Sequence, residues 1–124
     1  MNKLDKKKVN WIENDFKMDK VLIKLGRKYH LISRSDISFI ESERNYSRIH
    51  CDDKSLLVKR SLLFLEQKLG SDKFIRVNRS ILVNIDLISE MEETEDEYSI
   101  TLINKKSFNW SRRYRERLTK MMRI

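Results

Sequence analysis

Residues 37–51 read ISFIESERNYSRIHC, and this stretch decides the fold class of the chain. The segments ISFIES and YSRIHC are rich in β-branched and aromatic residues, and the polar residues Glu43, Arg44 and Asn45 separate them. Short runs of this kind on either side of a polar turn are typical of paired strands. The stretch therefore predicts two antiparallel strands joined by a tight turn.

The same pattern continues on both sides of this stretch. VLIKL and YHLIS precede it with a Gly26-Arg27 turn between them, so residues 20–58 are predicted to hold four consecutive strands. Further on, LISEMEE and EYSITLI predict an antiparallel hairpin with an acidic turn at 93–97, and Tyr98, Ile100 and Leu102 would share one face.

Two helices are predicted. In SLLFLEQKLG at 61–70, Ser61 can cap a helix, three leucines share one face, and Gly70 can end the helix in a left-handed turn. In the last helix Ser111 is the candidate cap, and we expect the helix to dock by an apolar stripe of Tyr114, Leu118, Met121 and Met122.

Length and composition indicate a single domain. The chain has 124 residues, no proline and only two glycines, so no flexible linker divides it. We expect a domain at 20–124 behind a lysine-rich extension at 1–19, in which Val9, Trp11, Ile12 and Phe16 could dock onto a neighbouring surface. No run approaches the roughly 18 apolar residues of a membrane span and no signal peptide is evident, so we expect a cytoplasmic protein.

The net charge of +8 predicts a polyanionic partner. DNA, RNA and an anionic membrane are the candidates. Charge is also polarised, since residues 86–97 carry seven acids and no base, whereas residues 105–124 carry eight bases and one acid.

Signatures of an enzyme are missing. There is no glycine-rich phosphate loop or metal-spaced His/Cys group, and the acids at 90–97 fit a solvated turn. His30 and His50 lie in predicted strands, where packing or hydrogen bonding is the usual role, and Cys51 is expected to be a buried, reduced thiol. We expect no catalysis, no cofactor, no metal and no small-molecule substrate.

FIRVNRSILVN at 74–84 embeds polar side chains in an apolar run. Arg76, Asn78 and Asn84 can be explained as partners of buried backbone groups in a tight connection. Arg79 is harder to explain as part of a core.

Together with NYSRIH at 45–50 and WSRRY at 110–114, this stretch resembles the LytTR family of bacterial DNA-binding domains, found as output domains of response regulators. The resemblance runs from about Val21 to Met122 and covers I-x-F-I-E-S-x-x-N-Y at 37–46, the helix ending at Gly70, and S-R-R-Y at 111–114. The family often has Gly where this chain has Arg44 and His where it has Asn78. These departures affect the DNA sequence preference more than they affect membership of the family.

The resemblance implies a mainly β fold, an elongated antiparallel β sandwich with short helices, which reads the major groove with loops instead of its C-terminal helix. The positions that match DNA-contacting residues of the family are the base contacts Ser47, Arg48, Asn78, Arg79, Arg112 and Arg113. An Arg guanidinium can donate two hydrogen bonds to guanine, so Arg79 and Arg113 are the leading candidates. Nearby cations could contact phosphates or remain solvated, namely Lys59, Arg60, Lys105 and Lys106.

The sequence thus predicts a sequence-specific regulator of transcription that binds double-stranded promoter DNA, as two copies on repeated half-sites. About twenty residues precede the first strand, so we expect control without an attached receiver domain, through abundance, a separate inhibitor protein or oligomerisation. The alternative is a basic protein-interaction or membrane-surface module. RNA binding is a second alternative, although the exposed aromatic motif of the commonest RNA-binding sheet is missing.

Overall fold

The computed structural model describes residues 19–124. In this part of the chain the first half forms five strands and one helix: β1 Lys20–Leu25, β2 Lys28–Ser33, β3 Ile37–Glu43, β4 Tyr46–Cys51, β5 Ser55–Val58 and α1 Leu62–Leu69. The second half forms five more strands and a second helix: β6 Phe74–Asn78, β7 Ile81–Asn84, β8 Ile88–Glu93, β9 Tyr98–Leu102, β10 Ser107–Asn109 and α2 Arg112–Met122. The predicted extension at 1–19 lies outside the described residues apart from Asp19.

All strands pair antiparallel, in three sheets. The central sheet has five strands in the order β5-β4-β3-β7-β6, β1 pairs with β2, and β8 to β10 form a third sheet. The mainly β fold with short helices is therefore confirmed. Sequence analysis missed β5, because its four residues, SLLV, run directly towards the leucine-rich helix.

Two hydrophobic cores lie on opposite faces of the central sheet. Alternate side chains of a strand point to opposite faces, so Ile40 of β3 enters one core and Phe39 the other. The first core packs the sheet against α1 and the β1–β2 hairpin, and the second packs it against the third sheet and α2. The β8–β9 hairpin was correctly predicted, and Ile100 and Leu102 are fully buried in the second core.

Two hairpins turn on two-residue loops with one positive φ each. The β1–β2 loop has Gly26 at φ +63°, and the β3–β4 loop has Arg44 at φ +58°. A two-residue loop whose first residue has positive φ favours glycine there, because a Cβ is strained in that region. Arg44 therefore occupies a position where glycine would be less strained.

Arg44→Gly should therefore be more stable than Arg44→Ala, by about 1 kcal/mol in the free energy of unfolding. Both variants lose the same charged side chain, and only glycine relieves the backbone strain. Urea unfolding of the two variants measures the difference. Equal stability, or a more stable alanine variant, would show that Arg44 is not strained.

The prediction for α1 is confirmed. The Ser61 hydroxyl accepts a hydrogen bond from the Phe64 N–H at 3.0 Å, and Gly70, just beyond the helix, has a φ of +94°. Leu62, Leu65 and Leu69 are all buried.

The prediction for α2 is partly wrong. Ser111 occupies the N-cap position, but its side chain makes no capping hydrogen bond. Tyr114 and Leu118 are partly buried, whereas Met121 and Met122 are 69% and 60% exposed. The helix packs against β6 near its start, so its last turn extends away from the sheet. Neither helix of residues 19–124 is long and apolar enough to cross a membrane.

Candidate nucleic-acid interface

Four connections meet at one end of the central sheet. The N–H of Ser42, at the end of β3, donates to the Ser80 carbonyl in the β6–β7 turn at 3.0 Å, and Ser111 N–H donates to the Val77 carbonyl at 3.0 Å. Ser47 at the start of β4 pairs with Val58, the last residue of β5. The exposed cations of these connections form what we call the basic end: Arg44, Lys59, Arg60, Arg79, Arg112 and Arg113.

Arg79 occupies the tip of the β6–β7 turn. Its side chain is exposed, and its guanidinium forms no hydrogen bond or ion pair with any residue of 19–124. Its backbone is held firmly, because the Arg79 carbonyl accepts from Arg76 Nη2 at 2.6 Å and the next residue, Ser80, donates its N–H to Asn78 Oδ1 at 2.8 Å. Because the backbone is fixed and the guanidinium has no hydrogen-bond partner in this part of the chain, Arg79 is suited to donate hydrogen bonds to a ligand.

Asn78 and Asn84 both serve backbone groups. Asn78 Nδ2 donates to the Asn109 carbonyl at 2.8 Å, and its Oδ1 is already occupied by the turn. The fully buried Asn84 donates from Nδ2 to the Ile37 carbonyl at 2.9 Å. The structural explanation of these two side chains is therefore correct, and the second hydrogen of Asn78 Nδ2 is not used by either of these bonds.

Arg76 connects this turn to both helices. Its guanidinium donates to the Asn78 carbonyl at 3.0 Å, to the Arg79 carbonyl and, at 2.9 Å, to Glu66 Oε1 of α1, and it lies 5.5 Å from the ring centre of Tyr114 in α2. The Arg76 and Glu66 side chains are only 13% and 21% exposed. Sequence analysis assigned Arg76 to backbone groups correctly but missed this link to α1 and α2, since no local pattern pairs residues ten positions apart.

Arg112 and Arg113 stand at the start of α2 beside the end of β6. Arg112 Nε pairs with Glu116 Oε1 at 3.0 Å across one exposed helical turn, and Arg113 lies 5.6 Å from the Tyr114 ring centre. Exposed pairs of this kind contribute only a few tenths of a kcal/mol, roughly, so a phosphate or a base can replace the carboxylate. Both arginines remain available to a ligand.

Ser47 differs from its predicted role. Its side chain is fully buried, and its hydroxyl donates to the Arg60 carbonyl at 2.8 Å. In this conformation Ser47 has no surface to offer a base, because the inward face of β4 points to the first core. The hydroxyl instead fixes the backbone of Arg60, whose guanidinium lies 4.7 Å from the ring centre of Phe64.

Arg48 points to the opposite face of β4 and is already paired. It forms a salt bridge with Glu43 across the β3–β4 hairpin and donates to Ser55 Oγ at 3.1 Å. The hydrogen bond from Arg48 lowers the pKa of Glu43, and the same bond raises the pKa of Arg48. Arg48 can contact DNA only by exchanging Glu43 for a phosphate or a base.

Lys105 and Lys106 lie apart from the basic end. They belong to the β9–β10 turn, next to Ser107 at the start of β10, whereas Asn109 at the other end of β10 leads to the basic end. Lys106 Nζ lies 5.9 Å from the Phe39 ring centre. Both are exposed, and Lys105 has a φ of +76°. Proximity in sequence to α2 was therefore a poor guide to their place in the fold.

Other reactive groups have structural surroundings. His50 shares a 2.7 Å hydrogen bond with Glu41 and stacks on Phe39, as predicted for a packing histidine. Cys51 is only partly buried, less than expected, and burial raises the pKa of its thiol. Within residues 19–124 no group of three or more His, Cys, Asp or Glu side chains could hold a metal ion.

Comparison with known protein families matches residues 27–123 to the LytTr DNA-binding domain. The chain belongs to this family. The predicted family membership is thereby confirmed, and the basic end belongs to a LytTr DNA-binding domain.

The LytTr domain is similar to bacterial regulators. It is 27% identical over 106 residues to the sensory transduction protein LytT of Bacillus subtilis and 36% identical over 76 residues to LytT of Oceanobacillus iheyensis. These alignments cover 85% and 60% of this chain but only 44% and 31% of the relatives. The chain thus spans less than half the length of these relatives.

A solved structure shares the fold. The LytTr DNA-binding domain of a Bacillus cereus protein described as a methyl-accepting/DNA response regulator superposes with a TM-score of 0.74 at 21% identity. The match covers 87% of this chain and all of the other. The arrangement of antiparallel sheets and short helices is therefore that of a LytTr domain.

Proposed function

We propose that this LytTr domain binds double-stranded DNA sequence-specifically and regulates transcription, with the turns of its basic end entering the major groove. One observation carries the proposal: the exposed guanidinium of Arg79 has no partner within residues 19–124, although the backbone of its turn is held by Arg76 and Asn78. An arginine presented in this way can donate two hydrogen bonds to O6 and N7 of guanine.

The remaining contacts follow from the geometry of each side chain. Arg113 is the second base contact, and Arg112 joins it by exchanging Glu116 for DNA. Lys59 and Arg60 contact phosphates, and Lys105 and Lys106, which lie apart, contact phosphates further along the duplex or remain solvated. The buried Ser47 holds the backbone of Arg60 in place, and Asn78 can offer a base the second hydrogen of its Nδ2 beside Arg79.

The relatives support regulation of transcription. A further one, the CO-responsive transcriptional regulator RcoM of Rhodospirillum rubrum, is 28% identical over 76 residues, which make up 32% of its own length. For this chain we propose binding as two copies to repeated half-sites of promoter DNA, with a separate inhibitor protein as one means of control.

Selection of bound duplexes from a random DNA pool at about 150 mM salt tests the proposal, since salt weakens electrostatic binding that does not read bases. Enrichment of a short motif, repeated in one orientation about one or two helical turns apart, is the expected result. Recovery of duplexes without any shared motif, or equal competition by double-stranded RNA, would overturn it.

Glu43→Gln should raise the affinity for DNA, because it removes the carboxylate that holds Arg48. We expect a gain of about threefold to tenfold, in line with one added phosphate contact, and a steeper dependence on salt concentration. Fluorescence anisotropy with the selected duplex at several salt concentrations measures both.

Glu92→Gln is the matched control for this variant. It removes the same charge from an exposed strand position, but Glu92 lies on β8 of the third sheet and forms no ion pair with a residue of 19–124. If the two variants gain affinity equally, the gain comes from the change in net charge, and Arg48 does not contact DNA.

A second candidate function is binding to an anionic membrane surface. The last turn of α2 favours it, because Met121 and Met122 are exposed beside Lys120 and Arg123. Sedimentation with anionic vesicles tests this candidate, and unchanged sedimentation of Met121→Ser/Met122→Ser would exclude the helix as the anchor.

A further inference from the structure

A groove of about 1010 Å³ runs between the β1–β2 hairpin and the central sheet. Its floor reaches residues of the first core, including Ile37, Ile49 and Leu65, and Phe64 of α1 lines one wall. Phe64 is 41% exposed, which is unusual for a ring next to a hydrophobic core. The hairpin therefore leaves an apolar surface beneath it only partly covered.

An unpaired strand edge borders this groove. Residues 20–24 of β1 line one side, and residues 58–60, of which only Val58 belongs to β5, line the other together with α1. Within residues 19–124, β1 pairs only with β2, so one edge of β1 has backbone groups that lack a ladder partner. Such an edge accepts an extended segment of chain.

The rim of the groove is basic. Lys24, Lys59 and Lys68 line it, and none of them forms an ion pair with a residue of the described part of the chain. An occupant of the groove should therefore combine apolar side chains with carboxylates.

We propose that residues 9–16 of this same chain, VNWIENDF, occupy the groove. This segment has four large apolar side chains, Val9, Trp11, Ile12 and Phe16, and two acids, Glu13 and Asp15, without a single base. Phe16 is four residues from Lys20 on the groove wall, a span of at most roughly 14 Å. So short a connection gives the segment an effective concentration in the millimolar range, roughly, which a partner in solution rarely reaches.

Docking of residues 9–16 also affects DNA binding, a consequence that rests on the proposed function. Glu13 and Asp15 would lie close to Lys59 and Arg60, which we propose as phosphate contacts. The docked segment would therefore weaken binding of DNA, and its release would strengthen it.

Zero-length cross-linking of the full chain tests the docking itself. A carbodiimide joins a carboxylate to an amine in direct contact, so we expect Glu13 or Asp15 to be linked to Lys24, Lys59 or Lys68. A mixture of ¹⁴N- and ¹⁵N-labelled chains separates links within one chain from links between two. Links only between chains would assign the groove to a second copy, and absence of these links would show that the groove does not hold residues 9–16; either result overturns the proposal.

Quenching of Trp11 by acrylamide gives a second measurement, after subtraction of the signal of a Trp11→Phe chain. Phe64→Ala should reduce the ratio of docked to undocked segment about tenfold, through loss of ring contacts. Leu63→Ala is the control, since Leu63 is also exposed on α1 but does not line the groove. Equal quenching in both variants would contradict docking, whatever the DNA-binding assays show.

Discussion

Replacement of Arg79 by alanine is expected to weaken binding to the selected operator by about 1–3 kcal/mol and to relax the preference at one base pair. The reason is that the Arg79 guanidinium has no partner within the described residues, so under the proposed function the hydrogen bonds lost with it are bonds to DNA. Arg113→Ala should act in the same way at a different base pair. Anisotropy titrations with the operator and with single-base variants measure both effects.

Lys59→Ala is the control for these arginine variants. It should weaken all duplexes alike and reduce the slope of affinity against salt concentration, because a phosphate contact carries no sequence information. Unchanged preference at every base pair in both arginine variants would refute the assignment of the base contacts, even if the overall affinity fell.

Arg76→Met should lower the free energy of unfolding by about 2–4 kcal/mol and reduce operator affinity as well. Methionine retains the apolar stem but leaves the carbonyls of Asn78 and Arg79 without their donor, and it leaves Glu66, 21% exposed, with only the longer 3.9 Å pairing to Arg117. Loss of these bonds frees the turn that holds Arg79. Urea unfolding and anisotropy measure the two effects separately.

Glu66→Gln provides the comparison for Arg76→Met. It weakens the pairing of Glu66 with Arg76 and with Arg117 of α2, and it leaves the two bonds from Arg76 to the β6–β7 turn in place. We therefore expect a loss of stability in Glu66→Gln with nearly unchanged specificity. A loss of operator preference as large as in Arg76→Met would mean that α1, and not the turn, positions Arg79.

Local sequence patterns predicted most of the fold because the relevant interactions are local. Short runs of β-branched and aromatic residues between polar turns identified the strands of the first two hairpins and of β8–β9, and the spacing of Leu62, Leu65 and Leu69 identified α1. Local patterns failed to predict β5, which is short, and the exposure of the end of α2. Met121 and Met122 match a helical stripe, but whether a stripe is covered depends on where the partner surface ends.

The candidate site was predictable only in part. Sequence reasoning singled out Arg79, because an arginine in an apolar run has no obvious place in a core. Ser47 and Asn78 stood in the same matched motifs, yet their polar atoms bond to Arg60 and Asn109, thirteen and thirty-one positions away. No local pattern distinguishes a side chain that faces a ligand from one that holds a distant backbone group.

By itself, then, the sequence determined the antiparallel β class and the basic character of this protein, since strand patterns and composition do not depend on distant contacts. The resemblance of its motifs identified the family. Only the tertiary structure decided that the turns at 44–45 and 79–80, the end of β5 and the start of α2 meet at one end of the sheet, and that Lys105 and Lys106 do not join them. Strand order and the stacking of layers set these distances, because they bring together side chains that are far apart along the chain.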